Sequence, residues 1–469
     1  MATPIPANRA PISAATLRAL TERAELPDVL GASTDTRTIE PGMLYVALRG
    51  ERFDGAEFVA QAFAAGAVGA LVPAPIEGEP RAWCVQDTLI AWGELARAHL
   101  AQLRATAPRV VIAITGSAGK TTTKEMTAAL LRARGTVHAT VGNLNNRIGL
   151  PATLLAATDQ TFLVLEAGMS LPGEMAELSR IATPDLAAVI NVGLAHAEGV
   201  GGREGIAHEK SALYTHLREG GAVVALCEDA LVWDAAQERT RIGFGERDGR
   251  YRVLAREVCA GGASLQLQRD AESLHVRSPF AGAAQALDLA AALALADAAL
   301  ARVGQAALTV AEIEAALAQI SLDGRGARFE FAGGGFVIDD SYNANPDSMA
   351  RAVTLLGELA EDRRRVLVLG EMRELGAEAE SAHDAIGEHV ANAKPALVIG
   401  CGGLAERILA RVEAAGIEVL RAADAAHAAL LATRAVLPED AVVVKASRGV
   451  RAERVVQALR EQFGDLRRS

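Results

Sequence analysis

Aromatic residues make up only 4% of this 469-residue chain, and its four cysteines, Cys84, Cys227, Cys259 and Cys401, stand far apart. No two of them have metal-ligand spacing, which argues against a zinc module. Scattered thiols suit a reducing compartment better than a disulfide framework. From Met1 to Arg23 there is no apolar core of signal-peptide length. The most apolar long stretch, Ala281 to Val303, is mostly alanine and carries Asp288 and Asp297, so it reads as a packed helix and not a membrane span. The net charge is -11 and is spread along the chain. That distribution offers no broad basic face for nucleic acid, and an anionic ligand must be met by locally placed cations, metal or helix N-termini. No internal repeat and no low-complexity linker is evident. The expectation is a cytoplasmic protein without membrane insertion.

Half of the residues are apolar and 22% are charged, as in ordinary soluble domains. The length exceeds what one core serves, so two to four domains are expected. Three blocks separate. Residues 1–106 hold short strand and helix patterns (Met43 to Leu48, Ala56 to Ala65, Ala67 to Val72) and form a small α/β N-terminal domain. Residues 107–320 hold strands at Val110 to Ile114, Phe162 to Glu166, Ala187 to Asn191 and Ala222 to Leu226 with helices between them. Such alternation predicts a doubly wound, mostly parallel sheet, closed by helices at Ala283 to Val303 and Val310 to Ile320. Residues 321–469 repeat the alternation at Gly335 to Asp339, Arg365 to Gly370, Ala396 to Gly400 and Ala441 to Lys445, a C-terminal Rossmann-like α/β domain.

The chemistry starts after Val110 to Ile114. The run Thr115-Gly116-Ser117-Ala118-Gly119-Lys120-Thr121 joins that strand to a helical pattern beginning at Thr122, the order of a P-loop. Gly116 and Gly119 permit close backbone approach, and the N–H groups of Gly116 to Thr122 face an anion at the helix N-terminus. Lys120 reaches the β and γ phosphates of ATP, and the Thr121 hydroxyl ligates Mg²⁺. The loop is a shortened variant, since Ile114 stands where the strict pattern has its first glycine. By itself it serves a kinase, a switch GTPase, a motor or a ligase equally well.

Further polar groups sit at strand ends. Glu166 closes its strand on the same sheet edge, either as a Mg²⁺ ligand or as a surface acid. His196 follows the next strand, and Lys210 falls on the helical stretch Gly205 to Leu217. Each has an ordinary structural reading, and they gain interest together. Asn143, Asn145 and Asn146 make a dense amide loop that suits either turn formation or ligand reading. The run Asp340-Ser341-Tyr342-Asn343-Ala344-Asn345-Pro346 ends a strand of the third block, where doubly wound folds bind ligands.

Together these segments resemble the Mur ligases of peptidoglycan synthesis over nearly the whole chain. The resemblance rests on Thr34-Asp35-Thr36-Arg37, Pro41-Gly42, Ala47 to Gly50, the P-loop, Gly142 to Asn146, Glu166 and Ala195-His196. It continues through the Asp340 to Pro346 run, Leu369-Gly370-Glu371-Met372 and Lys445-Ala446-Ser447-Arg448. It implies an ATP-dependent amide-bond-forming ligase that joins D-alanyl-D-alanine to UDP-N-acetylmuramoyl-tripeptide through an acyl phosphate. A monomer of three domains is implied. Thr34, Asp35, Thr36 and Arg37 would lie near the uridine nucleotide, and Asn143, Asn145 and Asn146 along the muramoyl-peptide. Two Mg²⁺ ions are implied, one held by Thr121 and Glu166, the other by Glu166, His196 and a carbamylated Lys210. Arg325, Asp340, Tyr342, Asn343 and Asn345 would meet ATP from the third domain, and Lys445, Ser447 and Arg448 would receive the dipeptide. Two departures stand out. Gln285 and Asp288 occupy positions where many members carry adenine-facing amides, and Asp54-Gly55-Ala56 replaces a frequent Asp-Gly-His. The competing readings are a diaminopimelate- or lysine-adding relative, a folylpolyglutamate synthase, or a P-loop regulatory NTPase.

Overall fold

The strand Val110–Thr115 lies at the heart of the molecule, hydrogen-bonded in parallel to Phe162–Glu166 on one side and Leu186–Val189 on the other. Every residue of it is buried, which is why it reads as an unbroken β-branched run rather than an alternating one. The computed structural model describes residues 8–21, 23–50, 53–193, 201–259 and 261–464. Among these, three sheets of four, nine and six strands define the architecture.

The first sheet, Ala32–Ser33, Leu44–Val46, Gly69–Val72 and Ala82–Cys84, is parallel throughout. It does not stand apart. The helix Thr88–Thr106, capped by Asp87 on the N–H groups of Leu89 and Ile90, carries Trp92, Leu95, Ala96 and Leu100 into one core with Leu71, Val111, Leu150 and Leu163. The Trp92 indole N–H donates to Ile148 O at 3.0 Å. The small domain is therefore mounted on one face of the central sheet by a helix that belongs to both. Near Asp54 the expected helix opens as a 3₁₀ turn, Gly55–Phe58, because the Asp54 carboxylate accepts the Ala56 N–H, and α-helix follows at Val59–Ala64.

The other face of the central sheet is covered by Lys120–Arg132, Ala283–Arg302 and Val310–Leu317. Ala283–Arg302 is the one helix among the described residues long and apolar enough to cross a bilayer, and it is mostly buried as a core helix. The structure adds an element the sequence pattern did not suggest. After Thr240–Gly245, the strands Tyr251–Cys259, Gly262–Arg269 and Glu272–Ser278 form an antiparallel arm on the sheet edge.

In the third sheet, Ala327–Glu330 is an antiparallel edge on Phe336–Asp340, and the remaining strands run parallel in the order Phe336–Asp340, Ala441–Lys445, Arg365–Gly370, Leu397–Cys401, Glu418–Ala422. Helices bury both faces. The arm ties this domain to the central one. Arg256 donates to Ala281 O at 2.8 Å and to Glu358 Oε2 at 2.7 Å, and Val258 and Ala281 pack on the core that holds Met349, Val353 and Leu356.

Candidate functional site

Gly119 adopts φ +80° and caps the helix Lys120–Arg132 with no side-chain hydrogen bond. A Cβ there would strike the Asp288 carboxylate, so glycine is required by sterics as well as by backbone angle. The loop before it is pinned by a residue that sequence reasoning missed. The Asn191 side-chain oxygen accepts the N–H groups of Ser117 and Ala118 at 3.0 and 2.9 Å, and its amide donates to Ala118 O at 2.9 Å. Those two N–H groups are thus spent on shaping the loop. The N–H groups of the helix N-terminus from Gly119 onward are left to meet an anion.

Lys120 is half-buried and donates to Gly116 O at 2.8 Å. Burial lowers its pKa and Arg325 adds to that, while Glu166 and Glu374 oppose it. Thr121 Oγ1 donates to Glu166 Oε2 at 2.7 Å, and Asn145 Nδ2 to Glu166 Oε1 at 2.7 Å. Strand end, helix N-terminus and amide loop therefore converge on one buried carboxylate. Among the described residues no three His, Cys, Asp or Glu side chains converge to hold a metal by themselves. Yet a hydroxyl and a carboxylate oxygen side by side, open to a cavity, suit Mg²⁺, which binds through one or two carboxylates and substrate phosphates. Lys210, fully buried on the helix Gly202–Ser211, lines the same cavity. His196 lies outside the described residues.

The cavity measures about 580 Å³, within the range of small-molecule sites. Its second wall comes from the third domain, with Arg325, Asp340, Tyr342, Asn343, Asn345 and Lys445. The Arg325 guanidinium lies 3.9 Å from the Tyr342 ring centroid, and Arg448 donates to the Tyr342 hydroxyl at 2.5 Å. Buried Lys445 is paired with Asp340 at 2.5 Å and donates to Asn343 O at 3.0 Å, a brace that fixes the loop. Asn345 caps the helix Pro346–Ala360 in a capping box with Ser348, an arrangement worth about 1 kcal/mol.

Not every expected residue reaches this cavity. Thr34, Asp35, Thr36 and Arg37 lie outside it, with Asp35 capping the turn Thr36–Thr38 and pairing with Arg37. Asn146 lines it, but its side-chain oxygen accepts the N–H groups of Ile148 and Gly149 as a turn former. Ser447 and Arg448 fall behind its wall. The cavity also contains Arg351 and Glu374, which carried no motif signal. Gln285 lies beside Gly326, where a Cβ would meet its amide. Asp288 sits at the phosphate end, against Gly119.

Burial raises the Asp288 pKa from 3.8 to about 7, against the pull of Arg351, Thr123 and Arg325. In the unfolded chain this acid ionises freely above pH 4, whereas the folded protein resists ionisation until about pH 7. The stability it supports is therefore full below pH 4 and lost as pH rises to 7. Asp288→Asn is expected to melt roughly 2–4 °C above the parent at pH 8, on the order of 1 kcal/mol, and to match it at pH 4 in thermal denaturation.

Comparison with known proteins gives a consistent set of likenesses. Residues 29–130 match "Mur ligase family, catalytic domain", 114–296 match "Mur ligase middle domain", and 327–448 match "Mur ligase, glutamate ligase domain". The UDP-N-acetylmuramoyl-tripeptide--D-alanyl-D-alanine ligase of Escherichia coli (strain K12) is 36% identical over 439 residues, 92% of this chain and 93% of its own. A crystal structure of MurF from Acinetobacter baumannii superposes with a TM-score of 0.85 at 30% identity, covering 96% of this chain and 99% of that one. MurF ligase from Thermotoga maritima in complex with ADP gives 0.82 at 28% identity, covering 93% and 98%.

Proposed function

This chain belongs to the Mur ligase family, and from that premise we propose that it joins D-alanyl-D-alanine to UDP-N-acetylmuramoyl-tripeptide at the expense of ATP, a step of peptidoglycan precursor synthesis. The observation that carries the reading is the single cavity walled by the phosphate loop on one side and the Asp340 to Asn345 loop on the other. An amide cannot form from a free carboxylate without activation. The tripeptide carboxylate attacks the γ-phosphate to give an acyl phosphate and ADP, and the dipeptide amine then displaces phosphate.

In the first step two anions approach each other. Lys120 and the N–H groups of the helix N-terminus offset that repulsion. Thr121 and Glu166 would hold one Mg²⁺, with Glu166, His196 and a carbamylated Lys210 around a second, and these ions would neutralise phosphate and acyl charge. Asn145 fixes the rotamer of Glu166. Arg325, stacked on Tyr342, brings a guanidinium from the third domain. Closing that domain over the cavity excludes the water that would hydrolyse the acyl phosphate. Both walls come from one chain, so the proposal needs no partner subunit and takes the enzyme as a monomer. ATP and a nucleotide-linked precursor imply the cytoplasm as its location.

The direct test is phosphate release in an ATP-coupled assay. Release is expected to require both UDP-N-acetylmuramoyl-tripeptide and D-alanyl-D-alanine, and running diaminopimelate- and lysine-ended tripeptides side by side assigns the donor. Turnover with a single amino acid as acceptor, and none with the dipeptide, would sink the proposal.

A further inference from the structure

The helix Lys120–Arg132 carries a second lysine, Lys124, one of the largest fully buried side chains of the protein. An ammonium leaves water only at a cost in free energy, and a methionine would fill the same space without it. What the charge does is visible at the end of the strand Val137–Ala139. That strand runs parallel to Phe162–Glu166, with the Phe162 N–H on Thr136 O at 3.1 Å and the Thr140 N–H on Val164 O at 3.0 Å. Continued in step, the ladder would bring the Glu166 N–H onto Thr140 O. Instead Lys124 Nζ donates to Thr140 O at 2.7 Å, and the Glu166 N–H donates to Thr140 Oγ1 at 3.0 Å. The Glu125 carboxylate pairs with Lys124 and balances its charge. The ammonium thus draws one carbonyl out of the ladder and the hydroxyl takes its place. The chain then leaves the sheet for the turn at Gly142, φ +57°, that opens the amide loop.

Both consequences fall on Glu166. Its N–H is held by Thr140, and its Oε1 accepts Asn145 Nδ2 from the loop that follows the turn. The Gly168 N–H returns to Asn145 O at 2.8 Å, and Thr121 Oγ1 donates to the other carboxylate oxygen. Thr121 and Lys124 stand three residues apart, so they share one face of the helix. One helix therefore fixes Glu166 twice, directly at the carboxylate and through Thr140 at the backbone. We propose that Lys124 is a positioning residue of the site, setting through Thr140 where the Glu166 carboxylate presents its oxygens to Mg²⁺. This rests on the reading of Thr121 and Glu166 as Mg²⁺ ligands. Lys124 itself lies behind the cavity wall that Lys120, Thr121 and Glu166 form.

The test reads metal affinity apart from turnover. Mn²⁺, a paramagnetic stand-in for Mg²⁺, is titrated into the complex of the full chain with ADP, and free Mn²⁺ is followed by electron paramagnetic resonance. Thr140→Val keeps the side-chain shape and removes the hydroxyl, whereas Lys124→Met removes the ammonium. Each is expected to raise the Mn²⁺ Kd about 10-fold, the effect of losing a group that orients a metal's ligand. ADP affinity in EDTA, measured by calorimetry, is expected to stay parental, because the phosphate loop is untouched. Thr140→Ser restores a hydroxyl and is expected to recover most of what Thr140→Val loses. Should Lys124→Met fold poorly, the comparison of valine with serine at this threonine carries the test. Parental Mn²⁺ affinity in Thr140→Val or in folded Lys124→Met, a parallel loss of ADP affinity in EDTA, or no recovery in Thr140→Ser would each overturn the assignment. A parent complex that binds Mn²⁺ no more tightly than free ADP does would instead refute the metal reading of Thr121 and Glu166, and the assignment with it.

Discussion

Lys120→Ala is expected to abolish phosphoryl transfer, with kcat at least about 10³-fold below the parent and no acyl phosphate captured as hydroxamate when hydroxylamine is added. The expectation follows from what else surrounds the γ-phosphate. Asn191 already occupies the N–H groups of Ser117 and Ala118, so fewer backbone donors remain for the triphosphate than a P-loop of this length suggests. The Lys120 ammonium is half-buried and feels the charges of Glu166, Arg325 and Glu374, and it is the loop's own cation for the charge that develops between γ-phosphate and acyl phosphate. ATP binding should fall less than turnover, because the helix N-terminus and the walls near Gln285 and Leu355 are untouched. The contrast is measured as nucleotide affinity by calorimetry against single-turnover rate. Near-parental ligation by Lys120→Ala would overturn the role given to the loop.

The loop was legible because strand, glycine turn and helix are consecutive, so local rules fix their geometry. The same holds for Phe162–Glu166, whose buried run is uninterrupted. The antiparallel arm was present in the sequence but in another register. In Gly262–Arg269 the residues Ala263, Leu265 and Leu267 are buried while Ser264 faces out, and Leu274 and Val276 repeat the pattern on the next strand. Period-two alternation of this kind signals a half-buried hairpin, and Asp270 at φ +50° makes its turn. Its low apolar density, just ahead of the alanine-rich helix Ala283–Arg302, let it pass for connection.

Site residues divided on similar lines. Glu166 was visible as a strand end. The amides of Asn143, Asn145 and Asn146 had to be sorted by structure, one orienting Glu166 and one closing a turn. Asn191 carried no pattern. It acts through hydrogen bonds across 73 and 74 residues of chain. That is a tertiary fact with no local trace.

Lys210→Ala is expected to be inactive, at least about 10³-fold down in kcat, and to recover partly when acetate or formate is added at high concentration. Lys210 is fully buried, and burial lowers its pKa to about 7, with the positive charge of Lys120 pushing the same way. Glu209 offers partial relief but is committed to the N–H groups of Gly173 and Met175 at 2.7 and 3.3 Å. Near neutral pH roughly half of such lysines carry a free amine, the form that adds to CO₂ with loss of a proton to give a carbamate. That step would turn a cation repelled by Lys120 into an anion attracted by it, and would supply an oxygen donor where an ammonium would repel Mg²⁺. Labelling with ¹³C-bicarbonate should reveal a carbamate carbon in the parent and none in Lys210→Ala, a readout independent of turnover. Alanine would leave room for a small carboxylate to take the position of the proposed carbamate, which is why rescue is expected here and not for Lys120→Ala, where a cation is missing. Full activity of Lys210→Ala without any additive would show that the buried amine serves packing alone.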